Sequence, residues 1–162
     1  MEKISDEDEE VEVLEFRIGN NYYGIFTSFV KEIVPVPVVT SLPNCDPRVE
    51  GIFMLRDKVY SVVNLPYILT GSTHRSDDNK DINKPLSVIS TERFIIVRVF
   101  HMNITFHVEE VSKMKFVKKS EIESPDAAIK NAGNGVQIGI IHDDDRLVIL
   151  LDFEKIIKDI VV

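Results

Sequence analysis

A reaction centre in this chain would have to be built from its four histidines and its carboxylates, and their spacing offers little. His142 leads into Asp143-Asp144-Asp145, the ligand types of a cation site, yet three adjacent acids between two strand-like runs read more simply as a solvated turn. His74 sits in a polar stretch, His101 beside a turn and His107 at the end of an apolar run. HExxH, the GxSxG elbow, the P-loop, GxGxxG and a cysteine pattern for zinc are all missing. Gly133-Asn134-Gly135 reads as a flexible turn, because no strand-to-helix context follows it. The single Cys45 allows no intramolecular disulfide, which fits a reducing compartment. The expectation is a protein with no catalytic residue, no cofactor and no metal. The alternative is a small β-barrel hydrolase or ligand-binding protein whose carboxylates meet only in the fold.

Charge narrows the partners. Of the formal −8 over 162 residues, seven acids against Lys3 in residues 1–12 account for −6, leaving −2 for the rest. Residues 1–10 therefore read as a solvated, mobile acidic leader before a nearly neutral body over 11–162. Such a balance excludes a nucleic-acid binder, which gathers Lys and Arg along a groove. No apolar run approaches the roughly 18 residues of a membrane span, and the N-terminus is acidic where a secretory signal would be basic. The reading is a cytoplasmic protein with no direct membrane insertion.

The apolar residues decide the fold class. With 21 Val and 20 Ile against three Ala, they are β-branched rather than helix-forming, so the chain is mostly β. Alternation predicts a hairpin of Val11–Ile18 and Tyr22–Phe26 around Gly19-Asn20-Asn21. Further strands are expected at Val36–Leu42, Val49–Arg56, Val59–Val63, Phe94–Phe100, Ile104–Val108, Met114–Val117, Val136–Ile141 and Leu147–Leu151. Phe29, Val30, Ile33 and Val34 take helical spacing, predicting a short helix over Ser28–Val34. Others are expected from Ser124 to Gly133 and, behind Asp152 as cap, from Phe153 to Ile160.

The chain also repeats itself. A shift of 81 carries Phe16, Ile18, Tyr23, Ile25, Val30 and Ile33 onto Val97, Val99, Ile104, Phe106, Val111 and Met114. A shift of 88 carries Gly51, Ile52, Val59, Val62, Val63, Ile68 and Leu69 onto Gly139, Ile140, Leu147, Leu150, Leu151, Ile156 and Ile157, and Asn64 onto Asp152. The expected architecture is two related small β-barrels, about 11–70 and 92–162, joined by a polar loop over 71–91.

The ordered series Leu14-Glu15-Phe16, Tyr23-Gly24-Ile25, Val30-Lys31-Glu32-Ile33, Leu42-Pro43, Val49-Glu50-Gly51-Ile52, Leu55-Arg56 and Val62-Val63-Asn64-Leu65 resembles the bacterial chemotaxis coupling domain, the CheW-like fold. Phe106-His107-Val108-Glu109-Glu110-Val111, Ile122-Glu123-Ser124-Pro125-Asp126 and Leu150-Leu151-Asp152-Phe153-Glu154-Lys155-Ile156-Ile157 look closer to the coupling domain of CheV proteins. The resemblance covers about Val13 to Val161 and implies two five-stranded, SH3-like barrels with a few short helices. It implies a non-enzymatic signal-transduction adaptor that connects the cytoplasmic tips of chemoreceptors (methyl-accepting chemotaxis proteins) to the regulatory domain of the histidine kinase CheA, recruited to membrane-associated receptor arrays. An adaptor of a non-flagellar chemosensory pathway is the variant of that reading.

By the same resemblance Val30, Glu32, Gly51 and Arg56 match positions of partner binding. Val30 as core, Gly51 as a backbone requirement and Arg56 as an ion-pair partner of Glu32 are the structural alternatives. Asp57 stands where the family usually has Gly, and Met54 where it has Asn. Asp tolerates a left-handed turn, so the change bears on partner preference rather than fold. CheV proteins carry a C-terminal receiver domain that would begin where this chain ends. A piece of such a protein and a stand-alone adaptor both fit.

Overall fold

The computed structural model describes residues 8–70, 90–125 and 135–161. The strands are β1 (Glu10–Ile18), β2 (Asn21–Phe26), β3 (Val30–Pro35), β4 (Val49–Leu55) and β5 (Lys58–Val63), then β6 (Arg93–Val99), β7 (Met102–Val108), β8 (Glu110–Lys118), β9 (Gln137–Asp143) and β10 (Arg146–Leu151). Helix α1 (Leu65–Thr70) follows β5, and α2 (Phe153–Val161) follows β10. The mostly β class and the two five-stranded sheets agree with the sequence reading.

The sheets do not coincide with the sequence halves. One runs β8-β1-β2-β10-β9 and the other β3-β6-β7-β5-β4, so each draws on both halves. The 81-residue shift turns β1, β2 and β3 into β6, β7 and β8, and the 88-residue shift turns β4 and β5 into β9 and β10. Under these shifts both sheets have one order, with the hairpins β1–β2 and β6–β7 exchanged between halves. The register agrees to the residue. Val13 opposite Phe26 becomes Phe94 opposite His107, and Ile52 opposite Ser61 becomes Ile140 opposite Ile149. Even the irregularities repeat. The bulge of β3 between Val30 and Glu32 has its copy on β8 between Val111 and Lys113.

That bulge overturns the helix expected over Ser28–Val34. Only Thr27–Phe29 turn helically, as a single 3₁₀ turn, and Val30 begins a strand. In an unbroken strand Val30 and Glu32 would share a face. The extra residue instead points Val30 and Ile33 at the main core and sets Glu32, opposite Ile96, on the other face with Val34, and apolar residues at 30, 33 and 34 imitate helical spacing. The strand expected over Val36–Leu42 also fails: three prolines nearby withhold donors, and only Thr40 pairs, bridging Ile52. Helix α1 is an element that the sequence reading did not delimit. β1 starts at Glu10, paired with Lys118, and Glu9 is held by Lys119, so the fold begins inside the expected leader. Residues 1–7, most of the 71–91 loop and most of the expected helix after Ser124 lie outside the described residues.

The main core lies between the sheets. Phe16 of β1 packs on Phe106 of β7 with centroids 5.3 Å apart, and Phe106 on Phe153 of α2 at 4.7 Å. All three rings are buried, and truncating any one to Ala costs about 3–5 kcal/mol. Smaller clusters fill the other face of each sheet: Val13, Val117, Ile141, Val148 and Leu150 in one, Phe53, Tyr60, Phe94 and Ile96 in the other.

Candidate partner-docking site

The four residues matched by resemblance do not converge equally. Glu32 and Arg56 meet, Val30 packs on the main core opposite Val97, and Gly51 lies buried inside β4. A Cβ on Gly51 would run into the Thr40 carbonyl oxygen and come within 2.8 Å of Val39 Cγ1. Gly139, its counterpart in β9, is crowded by the Ile122 side chain, with the Glu123 carbonyl oxygen in van der Waals contact at 3.5 Å. In both halves a connecting segment crosses over the strand at its glycine, which gives Gly51 a backbone reason independent of any partner.

Glu32 and Arg56 form a fork. Nη2 donates to Oε1 at 2.5 Å and Nη1 to Oε2 at 3.0 Å, the bidentate geometry that favours arginine over lysine. The hydrogen bonds from Arg56 hold the Glu32 carboxyl below its ordinary value and raise the guanidinium in turn. The fork ties β3 to the β4–β5 turn, across the two edge strands of its sheet. Its members differ in exposure: 71 % for the Arg56 side chain and 25 % for Glu32. The arginine is the half of the pair that faces outward.

The turn itself is unusual. Arg56 and Asp57 both have positive φ, +48° and +63°, the pattern of a two-residue hairpin turn normally filled by Asn-Gly. Asp57 fits the left-handed region, as the sequence predicts. Arg56 does not, and a non-glycine residue there carries a backbone cost of roughly 1–2 kcal/mol. Beside the turn, Met54 and Val59 face each other across β4 and β5, both more than 60 % exposed. The site is thus an outward guanidinium on a hairpin tip next to an exposed apolar pair, the mixture that protein interfaces use. The sequence singles out Met54 only as a departure from the family pattern and Val59 not at all, because both alternate with Phe53 and Tyr60 like any strand residue. The signal was their phase, opposite to those two core rings.

The residues first considered for chemistry are dispersed. His107 lies against Glu92, His142 against Glu123, and His101 occupies a left-handed turn position, while His74 falls outside the described residues. Of the Asp143–Asp145 run, Asp143 turns inward and its two neighbours stay exposed. Among the described residues no three His, Cys, Asp or Glu side chains converge to hold a metal ion, and no helix is long and apolar enough to cross a membrane. A cleft of about 180 Å³ opens between α1 and α2, but the Arg48 at its edge is engaged by Asp46 and by the Asp159 carbonyl.

The family model described as CheW-like domain matches residues 12–161. The chain is similar to the chemotaxis protein CheW of Treponema pallidum, 27 % identical over 92 % of this chain and 83 % of that one. It is also similar to that of Thermotoga maritima, 26 % identical over 100 % and 97 %. The chemotaxis protein CheV3 of Helicobacter pylori is 24 % identical, and there the match spans 48 % of the relative. Among solved structures, the scaffolding protein TtCheW of Thermoanaerobacter tengcongensis superposes with a TM-score of 0.72 at 22 % identity, over 89 % of this chain and 85 % of that one.

Proposed function

The chain belongs to the CheW-like domain family, and from that membership we propose how it works: as a chemotaxis coupling adaptor that docks the cytoplasmic tip of a chemoreceptor and the regulatory domain of the histidine kinase CheA, without catalysis. The family is a non-catalytic one of scaffolds and adaptors. What supports a docking role for the β4–β5 hairpin is the exposure of Arg56 despite its backbone cost. A glycine or asparagine would make the same turn more cheaply, so the guanidinium is retained for what it touches. In this reading Arg56 and Glu32 present the charged part of the contact, Met54 and Val59 the apolar part. Val30 and Gly51 act from behind, Val30 by fixing β3 on the core and Gly51 by letting the 36–42 segment cross β4. The protein works in the cytoplasm, carried to the membrane by its receptors.

Co-purification tests this. The chain is mixed with a receptor signalling tip and with the kinase regulatory domain from the same cell, and capture of each is expected. Capture of neither removes the proposal.

A further inference from the structure

The first sheet holds a second group of charges that the docking site does not use. Glu15 of β1 and Asp143 of β9 are both buried, 1 % and 3 % exposed as side chains, and both lie near one guanidinium nitrogen. Arg146 Nη2 of β10 is 3.4 Å from Glu15 Oε2 and 3.8 Å from Asp143 Oδ2. From β8, Lys113 Nζ approaches Asp143 Oδ2 at 2.7 Å and Lys115 Nζ approaches Oδ1 at 3.3 Å. From β2, the Tyr22 ring lies under Arg146 at 4.0 Å. Since β8 and β9 are the edges of this sheet, the lysine contacts to Asp143 span its open side, as Glu32 and Arg56 span that of the other.

The repeat shows that the fold does not require these acids. The positions equivalent to Glu15 and Asp143 in the second sheet are Ile96 and Leu55, and the sheet forms there with apolar side chains. Two carboxylates out of water beside one another resist being charged together. We propose that the buried Glu15–Asp143 pair is a proton-controlled latch on the open side of the first sheet, tight while the pair holds one proton and slack when it holds none.

Of the two, Glu15 is the one whose surroundings favour the proton. Burial pushes its carboxyl above the ordinary value, and hydrogen bonding to Asp143 and that group's charge push the same way, against Lys113 and Arg146. Burial also works against charge on Asp143, but the hydrogen bonds from Lys113, Glu15 and Lys115 prevail and hold it at about 2. Protonated Glu15 donates to Asp143 and leaves both lysines to it. Ionised Glu15 competes for Lys113 and Arg146, and the tie from β8 to β9 weakens. The sign follows: a carboxyl raised in the folded state stabilises below its unfolded value and loses that contribution as pH rises through the folded one.

Hydrogen exchange on the full chain tests the latch. Protection factors of the β8 and β9 amides, compared at about pH 4.5 and about pH 8, are expected to fall about tenfold for each pH unit by which Glu15 is raised within that window. In Glu15→Gln, which keeps the shape and cannot ionise, they are expected to stay level. Equal protection at both pH values in the natural chain, or an equal fall in Glu15→Gln, overturns the proposal. Carbon-13 titration of Glu15 in the natural chain decides independently should Glu15→Gln fail to fold: a midpoint at or below the ordinary glutamate value overturns it.

Discussion

Asn64 and Asp152 make the same hydrogen bond at matching places in the two halves. Asn64 Oδ1 accepts the Tyr67 N–H at 3.1 Å to open α1, and Asp152 Oδ1 accepts the Lys155 N–H at 3.1 Å to open α2. Amide and carboxylate are interchangeable as N-caps, so the repeat survives the change of residue. Each cap to Ala is expected to cost about 1 kcal/mol, and the double variant about the sum, since the two bonds share no partner. Urea unfolding of the three variants checks both values.

Gly51→Ala is expected to lower stability by about 1–3 kcal/mol, because the methyl group meets the Thr40 carbonyl, which is backbone and yields little. Binding measured below the new melting temperature is expected to be near that of the natural chain. If binding falls while melting is unchanged, Gly51 contacts a partner directly.

Arg56→Glu separates folding from docking. The reversed charge sets two acids against each other at an exposed turn, where unfolding is little affected, so melting is expected within a few degrees of the natural chain. Affinity for the receptor tip or the kinase domain is expected to fall about tenfold or more. Calorimetric titration against each partner checks this, and unchanged affinity for both assigns the fork to folding alone.

His101→Gly is expected to stabilise the chain by about 1 kcal/mol, since the β6–β7 turn holds Phe100 and His101 at φ of +51° and +65°. Thermal unfolding reads the gain directly.

Asp143 predicts an acid limb opposite in sign to the behaviour of Glu15. Held at about 2 in the folded chain against 3.8 ordinarily, it contributes stability that is present above 3.8 and lost as pH falls toward 2. Melting temperatures between about pH 2 and pH 5 should fall less steeply in Asp143→Asn.

The sequence reading reached the strand content, the repeat and the C-terminal helix, because Val and Ile at period two and Phe153, Ile156 and Ile157 at helical spacing report burial on one face. It missed where a bulge shifts phase. Val30 and Ile33 on one side and Glu32 and Val34 on the other cannot be told from a helical stripe without knowing that Lys31 is the extra residue. The exchange of hairpins was equally hidden, since a repeat shows which strands are equivalent but not whose neighbours they become. At the docking site, Arg56 and Glu32 came from resemblance, while the exposure of Met54 and Val59 had to be seen in the fold.

The exchanged hairpins also set an order of assembly during synthesis. The second sheet has all its strands once Val108 has left the ribosome, whereas β1 and β2, which precede the other eight described strands, wait for β10 to supply the parallel partner of Tyr22, Tyr23 and Gly24. Until Leu151 emerges, the nascent chain carries an early hairpin with an unpaired apolar edge. The earliest-made strands of the domain are therefore the last to be enclosed, and termination between Val108 and β10 leaves a product with one complete set of strands and one sticky ribbon.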